Sequence, residues 1–126
     1  MDNYFQSSKP IYLQIADQIF YRLVRKELLP GDKLPSVREM AIQTKVNPNT
    51  IQRTYSEMER LGIVETRRGQ GTFIAEKAEI VDELKDRLTR EVLEGFVKQM
   101  TELGLTKEEM VIGIKKSLRR LKWKSL

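Results

Sequence analysis

Within seven residues the chain carries Asn47, Asn49, Thr50, Gln52 and Arg53, which bring three amides, a hydroxyl and a guanidinium close together. Side chains of these types make paired hydrogen bonds to nucleobase edges, Gln with adenine and Arg with guanine. Gln52 and Arg53 are the base-reading candidates. Asn47, Asn49 and Thr50, with Pro48 among them, stand where short polar side chains and backbone N–H groups reach phosphate oxygens or bases. A plainer account makes Asn47 a helix cap and the others solvated residues, and spacing alone leaves both open. Upstream, Arg38 is placed to clamp a phosphate with two bonds or to reach a base, or else to pair with Glu39 or another acid. Downstream, Arg67 and Arg68 precede Gly69 and Gly71, whose lack of a side chain lets backbone approach a ligand closely. Charged hairpin tips also occur in proteins that bind no nucleic acid.

Other chemistries lack their parts. The chain has no His and no Cys, which removes the commonest general base and metal ligand, thiolate zinc sites and disulfides. Asp and Glu are plentiful, but no phosphate-binding glycine loop, nucleophile with its base, or metal-ligand cluster is present. The expectation is a non-enzyme with no catalytic residues, no cofactor and no metal.

A chain of 126 residues buries only a modest core, which allows one domain, or a small domain with an appendage. Hydrophobic residues at 40% against charged residues at 33% suit short amphipathic helices and argue against disorder. The net charge of +5 and pI near 9.5 favour a polyanionic partner. They do not locate it, because 11 basic face 8 acidic residues in 1–75, and 12 face 10 in 76–126. Apolar runs are too short to cross a bilayer, and Met1-Asp2-Asn3-Tyr4-Phe5 lacks the pattern of a signal peptide. A cytoplasmic protein without membrane partners is expected.

Certain elements must position these side chains. From Ile11 to Lys26, Ile11, Ile15, Ile19 and Leu23 recur every four residues, with Tyr12, Ala16 and Phe20 widening the stripe, which predicts an amphipathic helix behind Pro10. The segment Leu29-Pro30-Gly31-Asp32-Lys33-Leu34-Pro35 holds two prolines and a glycine and reads as a connector of turns and extended backbone. Ser36 with Glu39 forms a capping box for a short helix to about Thr44. Asn47 and Pro48 then start a third helix, whose Ile51, Tyr55, Met58 and Leu61 share a face until Gly62 stops it. Two helices joined by so few residues suit a helix-turn-helix. Residues 63–75 contain two β-prone runs around a glycine turn, a hairpin placed as a wing.

Beyond Ala75 a long charged helix carries Ile80, Leu84, Leu88, Val92, Phe96 and Met100 every four residues, with Leu93, Val97 and Leu103 beside them, and Gly104 ends it. Thr106 and Glu109 cap a final helix with Val111, Ile114, Leu118 and Leu121. A helix pair cannot cover its own apolar faces, so it packs on the first domain or on a second copy of itself; the second copy is favoured, with Leu84, Leu88, Val92, Phe96, Met100, Ile114 and Leu118 as its contacts. The run Lys115, Lys116, Arg119, Arg120, Lys122 and Lys124 suggests a second anionic contact or a solvated face favourable at a helix C-terminus.

The fold class is thus α+β and mostly helical, with a winged helix-turn-helix in 1–75 and a two-helix extension in 76–126. The chain resembles the GntR family at Pro35-Ser36-Val37-Arg38-Glu39-Met40-Ala41, at 46–55 from Val46-Asn47-Pro48 to Thr54-Tyr55, at Leu61-Gly62-Ile63-Val64 and at Arg68-Gly69-Gln70-Gly71-Thr72-Phe73. The likeness covers 10–75, and the short extension is similar to the YtrA subfamily. It implies a homodimer on double-stranded DNA that represses transcription at palindromic operators, often those of ABC transporter operons. Carried over by position, the family's DNA contacts fall on Arg38, Asn47, Pro48, Thr50, Gln52, Arg68 and Gly69. Many members have Arg where this chain has Gln52, so their operator sequences do not transfer. Fifty residues of extension leave little room for an enclosed effector pocket. The competing class is a protein-interaction module, since winged helices also serve as adaptors.

Overall fold

The computed structural model describes residues 8–121, so the readings at Met1-Asp2-Asn3-Tyr4-Phe5 and at Lys122 and Lys124 lie outside the described residues. The helices and the hairpin arise where their signals stand. They are α1 (Ile11–Val24), α2 (Val37–Thr44), α3 (Pro48–Arg60), β1 (Val64–Arg67), β2 (Gly71–Ile74), α4 (Ala78–Glu102) and α5 (Lys107–Arg120). The fold is α+β and mostly helical, and the chain forms two compact units, Met1–Lys85 and Asp86–Leu126. The first turns of α4 therefore belong with the N-terminal unit, beyond the expected boundary at residue 75.

Local chemistry starts and stops these helices. At α2 the Ser36 hydroxyl accepts from the Glu39 N–H at 3.1 Å while the Glu39 carboxylate accepts from the Ser36 N–H at 2.9 Å. Two N–H groups without helical partners are satisfied reciprocally, and these bonds hold the Glu39 carboxyl below its usual pKa. Thr106 and Glu109 repeat the box at α5. α3 ends in a left-handed Gly62, φ 79°, where the Ile63 N–H reaches the Met58 carbonyl and the Gly62 N–H reaches Glu59. This double closure needs a residue tolerant of positive φ, and the apolar pair it brings together, Met58 and Ile63, is buried.

In the N-terminal unit α3 packs against α1, α2 and β1. Ile51, Thr54, Tyr55 and Met58 lie on one side of α3 and are buried, as are Ile15, Ile19, Phe20 and Leu23 of α1 and Met40 and Ala41 of α2. Ile11, expected on the same stripe, is 45% exposed as the first residue of α1. Two buried hydroxyls on consecutive residues tie α3 to its surroundings. Thr54 Oγ1 donates to the Tyr12 carbonyl at 2.8 Å, and Tyr55 Oη donates to the Pro35 carbonyl at 2.6 Å.

β1 and β2 pair antiparallel, with Val64 opposite Ile74, Glu65 opposite Phe73, Thr66 opposite Thr72 and Arg67 opposite Gly71. The connector does more than turn. The Gly31 N–H donates to the Ile74 carbonyl, the Ile74 N–H to Asp32 and the Leu34 N–H to Thr72, and Lys33 bridges Phe73. An extended segment from before α2 therefore lines the open edge of β2, which satisfies backbone groups that an isolated hairpin would expose.

In the second unit α5 has no buried residue. Along α4 the four-residue row divides. Leu84 and Leu88 are buried, whereas Val92 is 62% exposed and Phe96 and Met100 are half-buried. Four residues advance a helix about 40° past a full turn, so this row winds around α4 and its two ends face different surroundings.

Burial, with a smaller effect from the Glu39 carboxylate, pushes the Tyr55 phenol up to about 12 from its ordinary value of 10.0. A raised folded value means that the contribution of Tyr55 is complete below pH 10 and is lost as pH climbs towards 12. Tyr55→Phe is expected to cost about 1–3 kcal/mol in a denaturant titration, because the Pro35 carbonyl loses its donor. It should also remove one late phenolate transition from an ultraviolet pH titration. A variant of unchanged stability, with every phenol still titrating, would show that the clamp contributes nothing.

Candidate nucleic-acid interface

Because α3 buries Ile51, Thr54, Tyr55 and Met58, helical geometry turns Asn49, Gln52, Arg53 and Ser56 outwards, and all four are exposed. The N-terminus of α3 is well formed. The Asn47 side-chain oxygen accepts from the Asn49 N–H at 2.7 Å and Pro48 occupies the first turn. Asn47 is therefore a helix cap, and its amide N–H donors are left over for a second task. Thr50 is half-buried. Gln52 reaches Ser56 Oγ at 3.4 Å, a long contact that leaves the amide easily redirected.

What the arginines do depends on whether a carboxylate already holds them. Arg60 bonds Glu57 at 2.5 and 3.0 Å, and Arg25 bonds Glu27. Arg67 bonds Glu65 at 2.9 Å and Glu76 at 3.4 Å and stacks on the Phe73 ring at 4.2 Å. These carboxylates raise its pKa and offset its charge locally. By contrast, no hydrogen bond or ion pair among the described residues engages Arg38, Arg53 or Arg68. The expected alternative of an Arg38–Glu39 pair does not form, since Glu39 turns back to cap α2. Arg53 instead lies over the Tyr12 ring of α1, 4.1 Å from its centroid, a contact worth about 0.5–1 kcal/mol at an exposed site.

The wing tip is a tight turn closed by the Gln70 N–H on the Arg67 carbonyl at 2.8 Å. Arg68, Gly69 and Gln70 are exposed on it. Gly71 follows at φ 120°, where an added Cβ would stand 2.9 Å from Lys33 Cε. The bridge to Phe73 thus carries the exposed Lys33 amine to the hairpin, a cation that sequence reading missed because its pairing spans 40 residues. Tyr12 was read only as the edge of an apolar stripe, yet its ring is half-buried and available to Arg53. Of the extension residues, Leu84 and Leu88 are used inside the chain itself, while Val92, Ile114 and Leu118 are exposed at 62%, 38% and 48%. Lys115, Lys116, Arg119 and Arg120 are exposed on α5. No group of His, Cys, Asp and Glu suited to a metal gathers among the described residues.

Comparison with known proteins gives this geometry a context. Residues 11–74 match the family described as bacterial regulatory proteins, gntR family. The HTH-type transcriptional regulator YhcF of Bacillus subtilis is 96% identical over 115 residues, 91% of this chain and 95% of that protein. The HTH-type transcriptional repressor YtrA of the same species is 52% identical over 73 residues, 58% of this chain and 56% of the repressor. A GntR family transcriptional regulator from Listeria monocytogenes superposes with a TM-score of 0.83 at 40% identity, over 89% of this chain and 98% of that one. The structure of AraR(DBD) in complex with operator ORX1 matches 57% of this chain and 93% of its own, with a TM-score of 0.53 and 27% identity.

Proposed function

Because the chain belongs to the GntR family of bacterial regulatory proteins, we propose that this DNA-binding transcriptional regulator acts as a homodimeric repressor at a palindromic operator. One observation carries the reading. The exposed polar face of α3 belongs to a helix packed on α2 and β1, and Arg38 of α2 and Arg68 of the hairpin tip are exposed with no carboxylate of the described residues on their donors. Gln52 and Arg53 read bases, with Asn49 beside them. Arg38, Arg68, the Gly69 backbone and the N-terminal turn of α3 around Asn47, Pro48 and Thr50 hold phosphates. Arg67, already shared between two carboxylates, braces the wing. The operator-bound AraR domain supports this docking, since its fold aligns with 57% of this chain.

In this reading 1–75 is the DNA-binding region and 76–126 the dimerisation region. Val92, Phe96 and Met100 of α4, with Ile114 and Leu118 of α5, form the surface that a second copy covers. Exposure of so many large apolar side chains on one unit supports a partner, and two-fold symmetry makes the same patch complementary to itself. Two recognition helices then reach successive major grooves, and the bound dimer blocks polymerase. The regulated unit is an ABC transporter operon, as the family resemblance implies.

Selection of bound sequences from a random duplex pool near physiological salt is expected to enrich a palindrome. An intact protein that enriches none would defeat the operator reading. Arg38→Ala should weaken binding about equally on all sequences and lower the salt slope by about 0.9. Gln52→Ala should relax preference at one base pair by about 1–3 kcal/mol. Identical profiles for both variants and the parent would remove these assignments.

Phe96→Asp and Val92→Asp should halve the mass seen by light scattering at micromolar concentration and weaken operator binding, with the N-terminal unit still folded. Retention of the parent mass by both variants would move the interface elsewhere.

A further inference from the structure

We propose that Tyr12 is a positioning residue that sets base preference through Arg53, an inference that rests on the reading of α3 as the base-reading helix. Two consecutive residues of α3 engage Tyr12 at once. The buried Thr54 hydroxyl donates to its carbonyl at 2.8 Å, and the Arg53 guanidinium lies over its ring, 4.1 Å from the centroid. Thr54 is fully buried, so the backbone bond fixes the height of Tyr12 along α3, and with it the place of the ring. The phenol is a fixed platform supplied by α1 to a side chain of α3.

Stacking leaves the guanidinium usable. Its Cζ lies over the ring, 4.1 Å from the centroid, and a guanidinium held there by a ring, which accepts no in-plane hydrogen bond pair, keeps N–H donors for the paired recognition of guanine. No hydrogen bond or ion pair among the described residues takes those donors. Arg60, on the same helix, differs, because Glu57 accepts from two of its nitrogens. A long arginine free in solvent samples many rotamers and must be ordered when DNA binds. The platform restricts Arg53 beforehand, so less ordering remains to oppose binding. It also limits the directions from which the edge can approach a base, which converts a held side chain into selectivity. Gln52 has no such support beyond its long contact with Ser56.

The test compares the parent with Tyr12→Leu, Tyr12→Phe, Arg53→Ala and the Tyr12→Leu/Arg53→Ala pair, using the selected operator and its single-base variants. Tyr12→Leu is expected to lower discrimination about two- to fivefold at the base pair that Arg53→Ala affects. Discrimination at other positions should stay unchanged, while the thermal midpoint falls by no more than a few degrees, about what loss of the ring contact costs. Tyr12→Phe keeps the platform and should keep the parent preference, and Tyr12→Leu should add nothing once Arg53 is alanine. A uniform loss over all duplexes, a loss that persists without Arg53, or full discrimination in Tyr12→Leu would each overturn the proposal. So would an Arg53→Ala variant that keeps every base preference, even though the parent selects an operator. A parent protein that prefers no duplex sequence would instead overturn the reading of α3, and this inference with it.

Discussion

Two hydroxyls on consecutive residues of α3 hold the N-terminal unit in register. Thr54 donates to a carbonyl of α1 and Tyr55 donates to the carbonyl of Pro35 just before α2. Apolar contacts between helices fix this packing through shape, and the hydroxyls add direction. Tyr55 Oη would lose its partner if α3 moved, at about 1–3 kcal/mol, whereas Thr54 Oγ1 also reaches the Thr50 carbonyl of its own helix at 3.2 Å and links the helices at lower cost. These bonds therefore specify where α3 lies as well as helping to hold it there. Pro35 follows the segment that pairs with β2, so the hairpin is tied to the same anchor. The outward direction of Gln52 and Arg53 and the start of α2 at Arg38 follow from this single arrangement.

With the backbone placed, charge availability separates one arginine from another. The N-terminal unit is rich in both signs, and an arginine near a carboxylate meets a partner inside its own chain. Exposed pairs of this kind contribute little stability, yet they compete with phosphate for the guanidinium donors. Glu57, Glu65 and Glu76 occupy donors of Arg60 and Arg67, and in the proposed complex they leave these arginines less available to an anion. The capping box has the opposite effect. By directing Glu39 to the Ser36 backbone, it leaves the neighbouring Arg38 unpaired. A motif that starts a helix therefore also preserves a cation for binding.

Legibility in the sequence follows the distance over which each interaction acts. Both capping boxes, the Asn47-Pro48 start and the glycine stop at Gly62 involve residues two to six apart, and each is found where spacing predicts it. The family match rests on the same local patterns and covers 11–74. What escaped is non-local. Lys33 meets Phe73, Tyr12 meets Arg53 and Glu76 meets Arg67 only after the chain has folded. The apolar row of α4 shows a further limit. The four-residue period predicts one face, but the row runs from the buried Leu84 and Leu88 through the exposed Val92 to the half-buried Phe96 and Met100. Four-residue spacing identifies a helix more securely than it identifies a single partner for it.

The same magnitudes explain why a reader of this size needs a second copy. Two base-reading side chains at about 1–3 kcal/mol each supply about 2–6 kcal/mol of discrimination. Specific regulators separate their sites from random DNA by about 4–10 kcal/mol, against about a million or more competing positions. One copy reaches only the lower part of that range at best, whereas two copies on a symmetric site reach about 4–12 kcal/mol by summing. Phosphate contacts from Arg38 and Arg68 do not close the gap, because they strengthen binding to every sequence alike. In the proposed dimer, selectivity thus depends on the apolar face of a helix pair that touches no base, and on how narrowly each proposed base-reading side chain is held before DNA arrives.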